Sequence, residues 1–120
     1  FGDGHDYQQT INALKSDPNA QRRAYAASAL GEFLDAGGIQ PLSDAISTDS
    51  SPIVRAAAAK ALGRMNSAGN GALGKAMTDS DESVRIAAIQ AASRVNEFTD
   101  EQTAAKLTGD SSSTVRRLGF

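Results

Sequence analysis

The sequence has no cysteine, no tryptophan and a single histidine, His5. Without cysteine there is no disulfide framework and no thiolate metal site. With one histidine, set in the glycine-rich opening FGDGH, a Ser–His–acid triad has nothing to build on. Asp3, His5 and Asp6 lie near one another in sequence, but at a chain end, where the first residues are usually poorly ordered. They read as a frayed terminus rather than a metal site. No apolar run approaches the ~20 residues needed to span a bilayer, and no signal peptide is visible. Neither sign of charge dominates. Twelve basic and 14 acidic residues give a net charge of −2, with no general pull toward nucleic acid or anionic membrane. Gly69-Asn70-Gly71 lacks the Lys and Ser/Thr of a phosphate-binding loop. Asp79-Ser80-Asp81 opens like a calcium loop but lacks the Gly and distal Glu at the required offsets. No catalytic, metal or cofactor site is predicted.

What the sequence does have is a repeat. Asp79 to Arg94 reads DSDESVRIAAIQAASR. Asp49 to Arg64 opens on Asp49-Ser50-Ser51-Pro52 and continues IVRAAAAKALGR. Asp110 to Phe120 reads DSSSTVRRLGF, and Asp17 to Glu32, DPNAQRRAYAASALGE, is a weaker copy. Each copy sets an Asp six residues before an Arg: Asp17 and Arg23, Asp49 and Arg55, Asp79 and Arg85, Asp110 and Arg116. The Arg-to-Arg steps are 32, 30 and 31 residues, a period that signals a solenoid. At 120 residues the expectation is one domain, 1–120, whose core is a strip because each unit touches only its neighbours. The chain opens on Phe1 and closes partway through a copy. Further repeats are therefore expected on one or both sides, as in a fragment or processed part of a longer protein.

The period-3.6 pattern fills in the helices. In Asp6 to Lys15, Tyr7, Ile11 and Leu14 form one stripe, read as the second helix of a repeat whose first helix is missing. Asp17 as cap and Pro18 at the first helical position predict a helix running to about Asp35. Its buried stripe is Ala26, Ala27, Leu30 and Leu34, with Tyr25, Ala29 and Phe33 adjoining. Gly37-Gly38 ends it, and residues 39–47 return with Ile39, Leu42 and Ile46 inward. The second unit has Ser51 as cap, Pro52 behind it, and apolar positions at Ile53, Val54, Ala58, Ala61, Leu62 and Met65. Its alanine run, 56–59, favours helix and close helix approach. NSAGNG is a turn, followed by a short helix over 72–77. The third unit starts at Ser80 or Asp81, with Val84, Ala88, Ala91, Ala92 and Val95 inward. Phe98 bridges a turn, and Thr99 with Gln102 makes a capping box for a helix carrying Ala104 and Leu107. The fourth unit begins a stripe at Val115 and Leu118. Nothing alternates at period two, so no strand is predicted.

The core D-x-x-x-x-V-R, followed by small residues and A-L-G, resembles the HEAT-repeat family, most of all the short HEAT-like type of phycobilisome lyases. Asp49, Val54, Arg55, Ala58, Ala59, Leu62 and Gly63 fit almost fully. Asp79, Val84, Arg85, Ala88 and Ala92 fit well, with Ser93 in place of Gly, and Arg22 stands where the first unit should have Val. The resemblance covers nearly all of the chain after Asp17. It implies an all-α, right-handed α-solenoid of about three and a half helical hairpins, with repeat starts near 17, 49, 79 and 110. It also implies a ladder in which the Asp and Arg of successive repeats hydrogen-bond along the turns. An Arg fork can satisfy a carboxylate and turn carbonyls together, so these eight residues read as structural rather than as an anion-binding row. The His-Glu pairs of HEAT-like di-iron hydroxylases are absent.

By the same resemblance, the second helices line the concave side. Their outward residues are Gln8, Gln9 and Asn12, then Gln40, Ser43, Asp44 and Ser47, then Asn70 and Lys75, then Glu101, Gln102 and Lys106. From Gln40 onward they form the candidate partner-binding face. Some HEAT-like proteins bind DNA in a basic groove, and here Arg64 and Arg94 are equivalent. Glu32 takes that place in the first unit, so the row changes sign and no nucleic-acid partner is expected. The expectation is a non-catalytic protein–protein interaction or scaffolding module without cofactor, whose partner is another protein or a peptide, with self-association through open repeat ends as a further route. A bilin lyase or isomerase-type chromophore-handling module is the alternative. The absence of cysteine suits the cytosol and extracytoplasmic space alike, with a mild preference for the cytoplasm.

Overall fold

A computed structural model describes residues 4–95, except 34, 68 and 70, and for 4–6 the backbone only. Among the described residues the chain is helical throughout, with no strand. The helices are α1 (Gly4–Ser16), α2 (Ala20–Phe33), α3 (Ile39–Thr48), α4 (Pro52–Arg64), α5 (Ala72–Ala76) and α6 (Glu82–Ala92), with a 3₁₀ turn at Ala36–Gly38 between α2 and α3. They form two layers. α2, α4 and α6 stack side by side in one, and α1, α3 and α5 in the other. Across the layers α1 packs on α2, α3 on α4 and α5 on α6. The Asp-bearing turns are thus the tight corners of antiparallel hairpins.

The core is the strip between the layers. Leu30, Leu42, Leu62, Leu73, Val54 and Val84 are its largest fully buried side chains, and alanine fills much of the rest. Small residues set the spacing of the first layer. A Cβ on Gly31 would sit 2.9 Å from the Ala61 Cα, and one on Gly63 would sit 2.8 Å from the Ala91 Cα. Both distances are inside van der Waals contact with backbone, so the helices approach until only glycine fits. Burying short side chains between close helices yields dispersion contact at little cost in rotamer entropy. The A-L-G element is therefore a packing device repeated once per seam.

Several boundaries differ from the sequence reading, each for a local reason. α1 begins at Gly4 rather than Asp6. α2 begins at Ala20, so Asp17 does not cap it and Pro18 lies in the turn ahead of it. The Asp17 carboxylate accepts the Asn19 backbone N–H at 2.9 Å, closing that turn, and Asn19 caps the helix by accepting the Arg22 N–H at 3.0 Å. Ser51 stands at the start of α4 without a side-chain cap, while Asp81 caps α6 by accepting from Ser83. Tyr25, placed beside the buried stripe of α2, is 77% exposed, and Ile53 on α4 is 54% exposed. Among the described residues no helix covers either side chain. Ile39 is only half buried. Leu34, Phe98, the helix expected after Thr99, and the fourth unit with Val115 and Leu118 lie outside the described residues.

Candidate interaction surface

The ladder is built at the hairpin corners. Arg23 on α2 donates through Nε and Nη2 to the two oxygens of Asp49, at 2.9 and 3.2 Å, and through Nη1 to the Asp17 carbonyl at 2.9 Å. Arg55 on α4 repeats this one step along, at 2.8 and 3.1 Å to Asp79 and 2.9 Å to the Asp49 carbonyl. Arg85 donates to the Asp79 carbonyl at 2.9 Å. Each Arg thus holds the turn of its own repeat by a carbonyl and, for Arg23 and Arg55, the turn of the next by a carboxylate. Each carboxylate also closes its own turn: Asp49 accepts the Ser51 N–H and Asp79 the Asp81 N–H, both at 2.9 Å. The paired side chains are 9–15% exposed. Binding Asp49 favours the charged form of Arg23 and raises its pKa. With both forks engaged, Arg23 and Arg55 offer no open row to an external anion. Asp110 and Arg116 lie outside the described residues.

The second layer carries the other set. α3 and α5 face one another across a groove of about 180 Å³. Gln40, Asp44 and Ser47 line it from α3, and Lys75 from α5. All four are exposed, and Gln40 donates to Asp44 at 2.8 Å. The structure therefore brings these four candidates together. Ser43, expected outward with them, is buried. Its hydroxyl lies 2.8 Å from both the Ile39 and the Gly69 carbonyls and ties α3 to the next repeat's turn. Gly69 has φ +62°, and a Cβ there would meet Ser43 and Leu62, so glycine is needed both for the conformation and for the approach. On α1, Gln8, Gln9 and Asn12 are exposed, and Gln8 reaches Asn12 at 3.4 Å. Asn70, Glu101, Gln102 and Lys106 lie outside the described residues.

A second tie escaped the sequence reading. The Tyr7 hydroxyl donates to Asp35 at 3.3 Å, and its ring meets Phe33 edge-on at 5.3 Å between centroids. Asp35 also accepts the Gly37 N–H at 2.8 Å, so α1 is pinned to the 3₁₀ turn. Partial burial, together with the Asp35 carboxylate, pushes the Tyr7 hydroxyl above the ordinary phenol range. Tyr7 signalled only a helix stripe in the sequence, and nothing linked it to a residue 28 positions on. Among the described residues no group of three His, Asp or Glu side chains is placed to hold a metal. No helix among them is long and apolar enough to cross a membrane.

A family model for HEAT repeats matches the chain twice, over residues 7–72 and 39–119. A solved structure of an engineered protein shares the fold, with a TM-score of 0.70 at 21% identity over 95% of this chain. The chain spans 59% of the length of that protein. A comparison with curated proteins gives no match. Two stacked layers, one Asp–Arg step per repeat and a family match over nearly the whole length agree: the chain belongs to the HEAT-repeat family, whose arrays generally serve as scaffolds for protein interaction and are typically non-catalytic.

Proposed function

We propose that this chain is a non-catalytic interaction module that holds a protein or peptide along its second helix layer, with the groove between α3 and α5 as the central contact. The observation that carries this reading is the convergence of Gln40, Asp44, Ser47 and Lys75 on one open groove. They supply an acid, a base, an amide and a hydroxyl, a set suited to the paired donors and acceptors of a peptide backbone and polar side chains. None of these side chains is needed for the core, so the groove is free to vary without loss of fold. The single domain acts here as a rigid surface, and the Asp–Arg ladder serves to fix the pitch between repeats rather than to touch the partner.

The test is an affinity capture with the chain as bait and a control carrying Asp44→Lys, Lys75→Glu and Glu101→Lys. The expected result is a partner held by the wild type and lost by the control, at unchanged thermal stability. A partner held equally by both would remove the α3–α5 groove from the function.

A further inference from the structure

The opposite face carries a groove of different character. Lys60 and Arg64 on α4, with Gln90, Ser93 and Arg94 on α6 and the turn that follows it, line a cleft of about 380 Å³ floored by alanine methyls such as that of Ala91. All five polar residues are exposed, and among the described residues no carboxylate lines the cleft. Arg23 and Arg55 are engaged in the ladder, whereas the described residues provide no ion-pair partner for Lys60, Arg64 or Arg94. The Arg64 Nη1 makes one long, exposed contact, 3.4 Å to the Ser28 carbonyl across the α2–α4 seam, which engages only one of its five N–H donors. In a chain of net charge −2, three cations gathered on one seam are a local reversal of sign.

We propose that this cleft binds an acidic peptide segment of a partner protein, laid in extended conformation across the α4–α6 seam. The spacing supports that occupant. Arg64 and Arg94 hold equivalent positions on neighbouring repeats, whose helix axes pack roughly 8–10 Å apart. Carboxylates on alternate residues of an extended chain lie about 6.6 Å apart on the same side, within the lateral reach of two arginines. The Gln90 amide offers hydrogen bonds to the peptide backbone, the Ser93 hydroxyl, which already donates to the Gln90 carbonyl at 2.8 Å, can accept a peptide N–H, and the alanine floor lets that backbone approach. A nucleic acid fits less well. The row ends where Glu32 takes the place of Arg64 on α2, and among the described residues no aromatic ring lines the cleft for base stacking. This site stands apart from the α3–α5 groove and does not depend on it.

The test uses the full chain and a fluorescein-labelled peptide of alternating Glu and Gly, read by fluorescence anisotropy at low and at physiological salt. Binding is expected at low salt and should weaken as salt screens the cations. Arg64→Glu with Arg94→Glu should weaken affinity at least about tenfold, while Asp44→Lys with Lys75→Glu leaves it unchanged. Thermal unfolding of each variant is followed in parallel. If the double reversal unfolds the chain, Arg64→Gln with Arg94→Gln replaces it. Equal peptide affinity for wild type and the substituted chain would overturn the proposal. So would an absence of binding to the wild type, or tighter binding of a single-stranded oligonucleotide of equal charge.

Discussion

α2 and α4 are copies of one sequence element, yet they occupy different environments. α4 lies between α2 and α6, whereas α2 has α4 on one flank and, on the other, a groove of about 710 Å³ shared with α1. Equivalent positions follow that difference. Val54 of α4 is fully buried, and its counterpart on α2 is the exposed Arg22. Ala57 is half buried, and its counterpart is the exposed Tyr25. Ala61 is fully buried against Gly31, and its counterpart Ala29 lines the groove. The ladder differs in the same way. Asp49 receives the Arg23 fork and closes its own turn, while Asp17, among the described residues, only closes its turn. A repeat position in this array has no fixed energetic weight. Its weight comes from the neighbour that covers it.

The sharpest way to break the comparison is at the two aspartates. Asp49→Ala removes a carboxylate that is 9% exposed and leaves the Arg23 guanidinium without its counter-charge. Losing this part-buried fork together with the acceptor of the Ser51 N–H should lower the urea midpoint well beyond the effect of Asp17→Ala. Asp17→Ala removes one hydrogen bond, to the Asn19 N–H, worth about 1 kcal/mol by analogy with helix caps. Urea unfolding followed by circular dichroism measures both. Similar losses for the two variants would mean that the fork adds nothing beyond the turn.

The same comparison explains how much was legible in advance. The Asp–Arg step, the helix pairs and most of the buried stripe follow from spacing, because the 30–32-residue step between repeats and the helical period are both visible in one chain. The reversals come where a neighbour decides. Tyr25 carries the same apolar signal as a core residue, yet among the described residues no helix covers it and it stays exposed at the groove with α1. Ser43 reads as polar and outward, yet it is buried because the Gly69 carbonyl, 26 residues later, comes within 2.8 Å. Asp17 reads as a cap, but Asn19 competes for the role two residues nearer the helix and wins it. Of the candidate groove, Gln40, Asp44, Ser47 and Lys75 were visible as an outward set. Their meeting across two helices was visible only through the family's layer geometry.

A smaller effect is expected at the alanine pair. Ala61→Leu forces about three further carbons against the Gly31 backbone, where even a glycine-to-alanine change leaves no room. Overpacking of this kind costs about 1–3 kcal/mol. Ala29→Leu adds the same atoms to the open side of the groove with α1, where surface substitutions fall within about 0.5 kcal/mol. The difference between the two denaturation midpoints measures the covered flank directly. If Ala29→Leu were as costly as Ala61→Leu, the two flanks of the array would be equally closed, and the contrast between α2 and α4 would fail.

The smallest effect distinguishes the helix starts, and pH is the means of reading it. α2 is capped by the amide of Asn19, which does not titrate, and α6 by the carboxylate of Asp81. The Ser83 hydroxyl hydrogen bond is the main cause that holds Asp81 below its ordinary value of 3.8, helped by the Ser83 and Val84 N–H groups and the charge of Arg55. A lowered folded value means that the cap's contribution is complete above that ordinary value and is lost as pH falls through the folded one. Asp81→Asn keeps an oxygen that accepts from the helix start but carries no charge, since Asn and Asp cap about equally well. It loses the strength that the charge adds to the Ser83 hydroxyl and N–H hydrogen bonds, and the smaller interaction of the charge with the helix dipole and Arg55. The wild type should therefore be the more stable chain at neutral pH by a constant margin. That margin should begin to shrink only as pH falls below 3.8, and close once pH passes the lowered folded value. Urea midpoints of the two chains across acid pH give the curve. A margin that stays constant down to the acid transition would show that the α6 cap, like that of α2, works through hydrogen-bond geometry alone and owes nothing to charge.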